Sequence, residues 1–301
     1  MTDLPLNLDV SLGVTIPARA ARGRAVRLGP AIDAILANHA YPPVIEALLA
    51  EALALTALLG SLLKDAGGQM TLQAQTENGI VDLLVCDYLG GQLRGYVRHD
   101  PKRLAEAGPS PSLFALFGKG YLAITFDQPA TDERYQGIVP LEGEGLGQAA
   151  ESYFTQSEQI PSIVRLAATK SADGWTAGGI LFQHLPEGEE GRERLHTRLD
   201  HPDWPHVAVL AGSVKREELL DRALPLDELV WRLFHEEEEV RTLPPVALAR
   251  GCRCDPDYVR SVIARFPAEE RAAMVGDDGF IRVDCAFCAT DFPITLDEVA
   301  P

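Results

Sequence analysis

The sequence predicts an α+β protein: a large N-terminal core domain built from β-hairpins and helices, a helical linker, and a small C-terminal zinc-binding domain. Three observations predict this. Strand-like segments follow one another in hairpins instead of alternating with helices. A Gly- and Glu-rich break at residues 187–191 separates a mixed composition from a heavily charged one. Four of the five cysteines crowd into the last fifty residues. The expected boundaries are 1–190, 191–250 and 251–301.

Each element has a local reason. Residues 28–40 and 44–64 are rich in Ala and Leu and are separated by Pro42-Pro43, so two helices are expected, the second stopped by Gly67-Gly68. Residues 70–75 alternate apolar and polar, the mark of a half-buried strand. Residues 80–87 and 92–98 are two further strands joined through Leu89-Gly90-Gly91, which supplies hairpin chemistry. Residues 121–127 and 134–141 form another pair, 146–159 a helix, and 163–168 with 175–183 a hairpin around Asp173-Gly174. Past the break, residues 192–240 are short charged helices, including 216–222, 226–234 and the glutamate run 236–239. Leu219, Leu220, Leu229, Val230, Leu233 and Phe234 give this linker an apolar stripe. The segment is too polar to be a core alone, so its stripe must lie against something else.

Composition narrows the function. Forty-four acidic residues against 27 basic ones give a net charge of −17, which disfavours a protein built to grip phosphate backbones. The N-terminus lacks the basic and apolar regions of a signal peptide, so a cytoplasmic protein is expected. Residues 44–63 are apolar and long enough to cross a bilayer. Glu46 and Glu51 lie inside that run and oppose insertion, so the segment is expected to be the buried central helix of the core domain.

The strongest chemical signal is Cys252-Arg253-Cys254, thirty intervening residues, and Cys285-Ala286-Phe287-Cys288. Four thiolates in two close pairs can surround one Zn²⁺ tetrahedrally. The insert is expected to fold as helices over 258–266 and 268–275, with strand-like segments at 280–284 and 289–296 around the second pair. Two uses fit this spacing. A static zinc knuckle staples the tail. A redox switch exploits the nearness of the partners in each pair, which makes them candidates for disulfide formation. A module of about fifty residues buries too little surface to be safely stable alone. Structural zinc contributes roughly 10–16 kcal/mol in small peptides, so oxidising one pair would unfold it. Cys86, in the apolar run 81–85, is expected to be an ordinary buried thiol.

These cysteines resemble the zinc-binding tail of the Hsp33 family of redox-regulated chaperones. Leu93-Arg94-Gly95-Tyr96, Gly118-Lys119-Gly120, residues 135–143, 153–159 and 177–186, and Leu233-Phe234-His235-Glu236-Glu237 with Val240-Arg241 extend the resemblance over nearly the whole chain. The glutamate run and residues 243–250 depart from the family pattern without touching a cysteine. The resemblance implies an ATP-independent holdase, inactive while reduced with one zinc per chain. Hypochlorous acid, or peroxide with mild heat, would form disulfides Cys252–Cys254 and Cys285–Cys288 and release zinc. The tail and linker would then unfold, baring apolar surface for unfolding client proteins, with dimerisation in the oxidised state. The linker stripe is the expected client-binding surface, masked while the tail is folded.

Competing functions have weaker support. A zinc-ribbon nucleic-acid binder is disfavoured because residues 251–301 hold five Arg and ten acidic residues. His235 to Glu239 begins like HExxH but places Glu where the second His belongs, and residues 143–147 do not match GxGxxG. A thiol oxidoreductase would set its CxxC in a βαβ unit, whereas this one closes a C-terminal module. The chain is therefore not expected to be an enzyme. His201 and His206, flanking Trp204 between two prolines, are expected in an irregular surface loop.

Overall fold

The computed structural model describes residues 7–63, 67–108, 111–130, 132–185 and 201–299. It opens with two strands absent from the sequence-based expectation, β1 (Val10–Ile16) and β2 (Ala21–Leu28). Arginines at 22, 24 and 27 disguise β2, yet each finds a partner in the fold, as Arg24 Nε does on the Ser61 carbonyl at 3.0 Å. Helix α1 (Pro30–Leu36) is shorter than expected, and α2 (Pro43–Gly60) starts with proline in its first turn, where no N–H is missed.

Strands β3 (Gln69–Thr76), β4 (Val81–Leu89) and β5 (Gln92–His99) follow as predicted. Gly90 and Gly91 take φ of 54° and 86°, the left-handed pair a tight two-residue hairpin requires. Short helices α3 (Pro101–Glu106) and α4 (Leu113–Phe117) lead to β6 (Gly120–Gln128) and β7 (Glu133–Pro140). Helix α5 (Leu146–Tyr153) ends in a wide π turn over Phe154–Glu158, and β8 (Ser162–Ser171) with β9 (Gly174–His184) completes the core.

The linker contributes α6 (Trp204–Gly212), α7 (Arg216–Leu220) and α8 (Leu226–Phe234). Residues 187–191 lie outside the described residues. Three two-residue strands follow: β10 (Arg241–Thr242), β11 (Val246–Ala247) and β12 (Ala249–Arg250). The tail holds α9 (Pro256–Ile263), α10 (Ala268–Ala273), β13 (Ile281–Asp284) and β14 (Asp291–Ile294). The glutamate run at 236–239 is not helical: α8 stops at Phe234 and the chain turns away.

Two sheets enclose α2. The first runs β10-β1-β2-β9-β8, with β11 also on β1; the second runs β12-β5-β4-β3-β6-β7. Leu49, Leu53, Leu55 and Leu58 on several faces of α2 are all buried, so its apolar length reflects a core position between two layers. By length and composition alone this helix could cross a membrane, but most of it is buried inside the fold. Its one buried hydroxyl, Thr56, returns its proton to the Ala52 carbonyl at 2.7 Å.

The far face of the first sheet carries the linker. Adjacent glycines on β9 make both contacts possible. A Cβ at Gly178 would lie 2.2 Å from the Leu219 carbonyl oxygen of α7, and one at Gly179 would lie 3.0 Å from Leu58 of α2. The layers are therefore linker helices, first sheet, α2, second sheet.

Candidate metal centre and its connection to the linker

The tail brings its four cysteines together from two turns. Cys252 and Cys254 leave β12 directly, where the Gly251 N–H donates to the Leu93 carbonyl at 2.9 Å. Cys285 and Cys288 lie in the β13–β14 turn. The N–H groups of Cys288 and Ala289 both donate to the Cys285 carbonyl, at 3.2 and 2.7 Å. Ala289 closes that turn in the left-handed region at φ 52°.

All five cysteines are free thiols. The four tail sulfurs lie within 4.8 Å of one another. Two separations cross between the pairs: Cys252 to Cys285 and Cys254 to Cys288, each 3.7 Å. A tetrahedron with metal–sulfur bonds of about 2.3 Å has sulfur–sulfur edges of about 3.8 Å, so these thiols fit a four-coordinate soft metal. Burial opposes charge on Cys288, but hydrogen bonding with Thr290, whose Oγ1 lies 3.1 Å away, and with its thiol neighbours brings it down to about 6. Cys254 is pushed up to about 12 by burial and by Cys252 and Cys288 beside it. A divalent cation reverses that repulsion by binding all four as thiolates.

The apolar cluster of the tail is small: among the described residues it is Ile263, Ile281, Ile294 and Val299, with Val259, Val275 and Val283 half-buried against them. Docking onto the second sheet enlarges it, and the residues inside the cysteine pairs make the dock. Arg253, between Cys252 and Cys254, donates to Gln69 Oε1 at 3.0 Å and to Asp87 Oδ2 at 3.1 Å. Asp87 is nearly buried and also accepts from Arg94 and Thr71. Phe287, between Cys285 and Cys288, meets Tyr96 edge-on at 4.9 Å and lies 3.9 Å under the Arg94 guanidinium. Asn38 and His39, after α1, bond the carbonyls of Cys288 and Phe287 at 2.9 and 3.1 Å. Sequence reading treated Arg253 and Phe287 as spacers; nothing in one sequence marks them as anchors.

One short segment joins the dock to the linker. Residues 241–250 form a strap that pairs with β1 through β10 and β11, then crosses to pair with β5 through β12. The same ten residues thus close one edge of each sheet.

The linker stripe is covered by the first sheet. Leu219, Leu229, Val230, Leu233 and Phe234 are buried there, and Leu220 is half-buried beside them. Phe234 meets Phe182 of β9 at a ring separation of 4.8 Å. Val207, Ala211, Leu224 and Leu226 belong to the same cluster and escaped sequence reading. Polar bolts reinforce it. Arg27 of β2 is fully buried and donates to the carbonyls of Glu218 and Leu219, each at 3.0 Å, and of Leu224. Burial lowers Arg27 to about 10. In return, Arg222 of the linker donates to Thr176 Oγ1 at 2.7 Å and to the Trp175 carbonyl at 3.0 Å.

Of the expected surface loop at His201 and His206, only His201 lies outside regular structure; His206 is in the first turn of a helix. Pro205 sits in the first turn of α6, where it is tolerated. His201 stacks near His184 with centroids 4.3 Å apart, and His206 Nε2 lies 2.6 Å from Glu237 Oε1. Glu237 also accepts from Arg19 Nε at 2.8 Å, and its side chain is only 4% exposed. This member of the glutamate run therefore ties the end of α8 to α6 and to the β1–β2 turn. Cys86 is fully buried against α2, and burial raises its thiol far above the usual range.

The fold and the four-thiol centre define a core of two sheets around a helix, covered by a linker and joined to a four-cysteine module. The model of the Hsp33 protein family matches residues 9–295. Among curated proteins, a 33 kDa chaperonin of Caulobacter vibrioides is 42% identical over 289 residues, covering 93% of each chain. One from Yersinia pestis is 34% identical over 281 residues, covering 93% of this chain and 90% of its own. The crystal structure of a 33 kDa chaperonin (heat shock protein 33 homolog) from Thermotoga maritima has the same fold. Its TM-score is 0.77 at 22% identity, covering 97% of this chain and 96% of its own. The chain belongs to the Hsp33 family, and it is a chaperone by that membership.

Proposed function

We propose that this chaperone is an ATP-independent holdase switched by oxidation of Cys252, Cys254, Cys285 and Cys288. The observation that carries the reading is the set of four free thiols at tetrahedral spacing, in a module whose own apolar cluster is small. Zinc, one per chain, is the metal that suits four thiolates; bound, it would hold them deprotonated and the two turns together. Arg253 and Phe287 then dock the module on the second sheet, and the strap holds α8 to the first. Oxidation takes two electrons from each pair, forming Cys252–Cys254 and Cys285–Cys288. Hypochlorous acid accepts them and leaves as chloride and water; peroxide leaves as water. The ligand set is lost, the anchors turn, and the strap loses its far attachment.

The linker then leaves the first sheet, and Leu219, Leu220, Leu229, Val230, Leu233 and Phe234 become a client-binding surface together with the apolar face they covered. Unfolding proteins are the partners, with a homodimer in the oxidised state, in the cytoplasm. Neither a membrane nor a nucleic acid is required, and no catalytic step is assigned. The domain limits 1–190, 191–250 and 251–301 serve this scheme as core, metastable linker and switch.

The test is light scattering of a chemically unfolded client diluted into reduced, zinc-loaded protein or hypochlorite-oxidised protein, with zinc release read in the same sample. Suppression only after oxidation, with about one zinc lost per chain, is the expected result. Equal behaviour in both states would make the centre a structural staple. Insulin reduction without client capture would favour a thiol oxidoreductase.

A further inference from the structure

The strap occupies an edge that another strand could use. Its register on β1 is antiparallel: Thr15 faces Arg241, Val14 faces Thr242, Ser11 faces Val246 and Val10 faces Ala247. Leu243 N–H donates to the Gly13 carbonyl at 2.9 Å and Leu248 N–H to the Asp9 carbonyl at 2.7 Å. Odd-numbered residues of β1 therefore turn their backbone groups to the strap, while even-numbered ones bond β2. Between the two short ladders stand Pro244 and Pro245, which have no N–H to give. The cover is weak by construction, and its paired residues are exposed.

The edge beneath is the opposite. β1 reads Val-Ser-Leu-Gly-Val-Thr-Ile, with no charge, no proline and high β-propensity. Such an edge is an open template for strand pairing. The strap itself shows the chemistry that fits: from Thr242 to Ala249 it carries no charged side chain, and Leu243, Val246 and the buried Leu248 are its bulky apolar groups.

We propose that the outer edge of β1 is a strand-addition site, occupied by the strap in the reduced state and by an extended, uncharged apolar segment of an unfolding client after the strap leaves. This rests on the oxidative release argued above. Backbone pairing asks little of side-chain sequence, which suits a site that must accept many unfolded chains.

Residue-resolved amide hydrogen exchange on the full chain tests it, comparing reduced zinc-loaded protein, oxidised protein, and oxidised protein with reduced carboxymethylated α-lactalbumin as a permanently unfolded client. The Ser11 and Thr15 amides should exchange at least tenfold faster on oxidation and regain that protection with client. The Leu12 and Val14 amides, turned to β2, should stay protected throughout. Client capture with Ser11 and Thr15 still exchanging would overturn the assignment. So would reprotection without client that grows with protein concentration, which would identify a second copy as the occupant. Zinc release and capture are read in the same samples. Retained zinc with no capture would refute the oxidative switch and this site with it, a pattern distinct from capture elsewhere.

Discussion

Arg27 sits at zero exposure without a carboxylate among its hydrogen-bond acceptors, and three linker carbonyls answer its guanidinium. Removing it leaves those carbonyls buried without donors, a loss of about 3 kcal/mol or more. Arg27→Ala should loosen α7 from the first sheet while zinc stays bound. Limited proteolysis within residues 201–240 should accelerate at least tenfold, and some client capture should appear in reduced protein. Unchanged cleavage would mean that Arg27 serves the core alone. Phe287 gives a complementary test from the tail. Phe287→Ala removes the contacts with Tyr96 and Arg94, worth about 1–3 kcal/mol together. Zinc content should be unchanged while strap cleavage rises. If zinc binding falls instead, the ring supports the turn and not the dock.

At the scale of elements, the linker is the outer layer on the first sheet, held at both ends. Its C-terminal end depends on Glu237. Burial opposes charge there, but hydrogen bonds from Arg19 and His206 hold this carboxyl below the usual glutamate value of 4.5. A depressed carboxyl stabilises the folded form fully above 4.5 and loses that contribution as pH falls through its lower folded value. The α6–α8 junction should therefore loosen in acid, at a pH below 4.5. Glu237→Gln should show looser linker exchange already at neutral pH and little further change on acidification. The tail is the other dependent element. A chelator added to reduced protein should make residues 251–299 protease-sensitive without moving the thermal transition of the core. A tail that resists protease without metal would show that docking alone folds it.

Most of this layering was legible where one period dominates. Strand β3 alternates residue by residue, Gly90-Gly91 and Asp173-Gly174 mark the turns of two hairpins, and α2 announces itself by length and composition. Strand β2 was hidden because its arginines satisfy themselves through distant carbonyls, which sequence spacing does not record. Helix α6 was hidden by Pro202 and Pro205, which read as breakers, although Pro202 precedes the helix and Pro205 sits in its first turn. The strap was hidden because two-residue strands have no periodicity. The metal centre was legible in its ligands and illegible in its dock, since Arg253 and Phe287 gain meaning only from Asp87 and Tyr96 across the fold.

For the whole molecule, the net charge of −17 suits a chaperone that bares apolar surface, because self-repulsion opposes aggregation of the opened form. High salt should therefore increase self-association of oxidised protein far more than of reduced protein, as sedimentation would report. The buried Cys86 has a different consequence. A thiol held protonated against α2 is a poor nucleophile and a poor target for oxidants. The thiols left for the proposed switch are thus an even set, all in the tail. With no odd sulfur to capture a partner, a chain oxidised as proposed would hold four electrons' worth of oxidation in two closed loops, which a reductant would return in full.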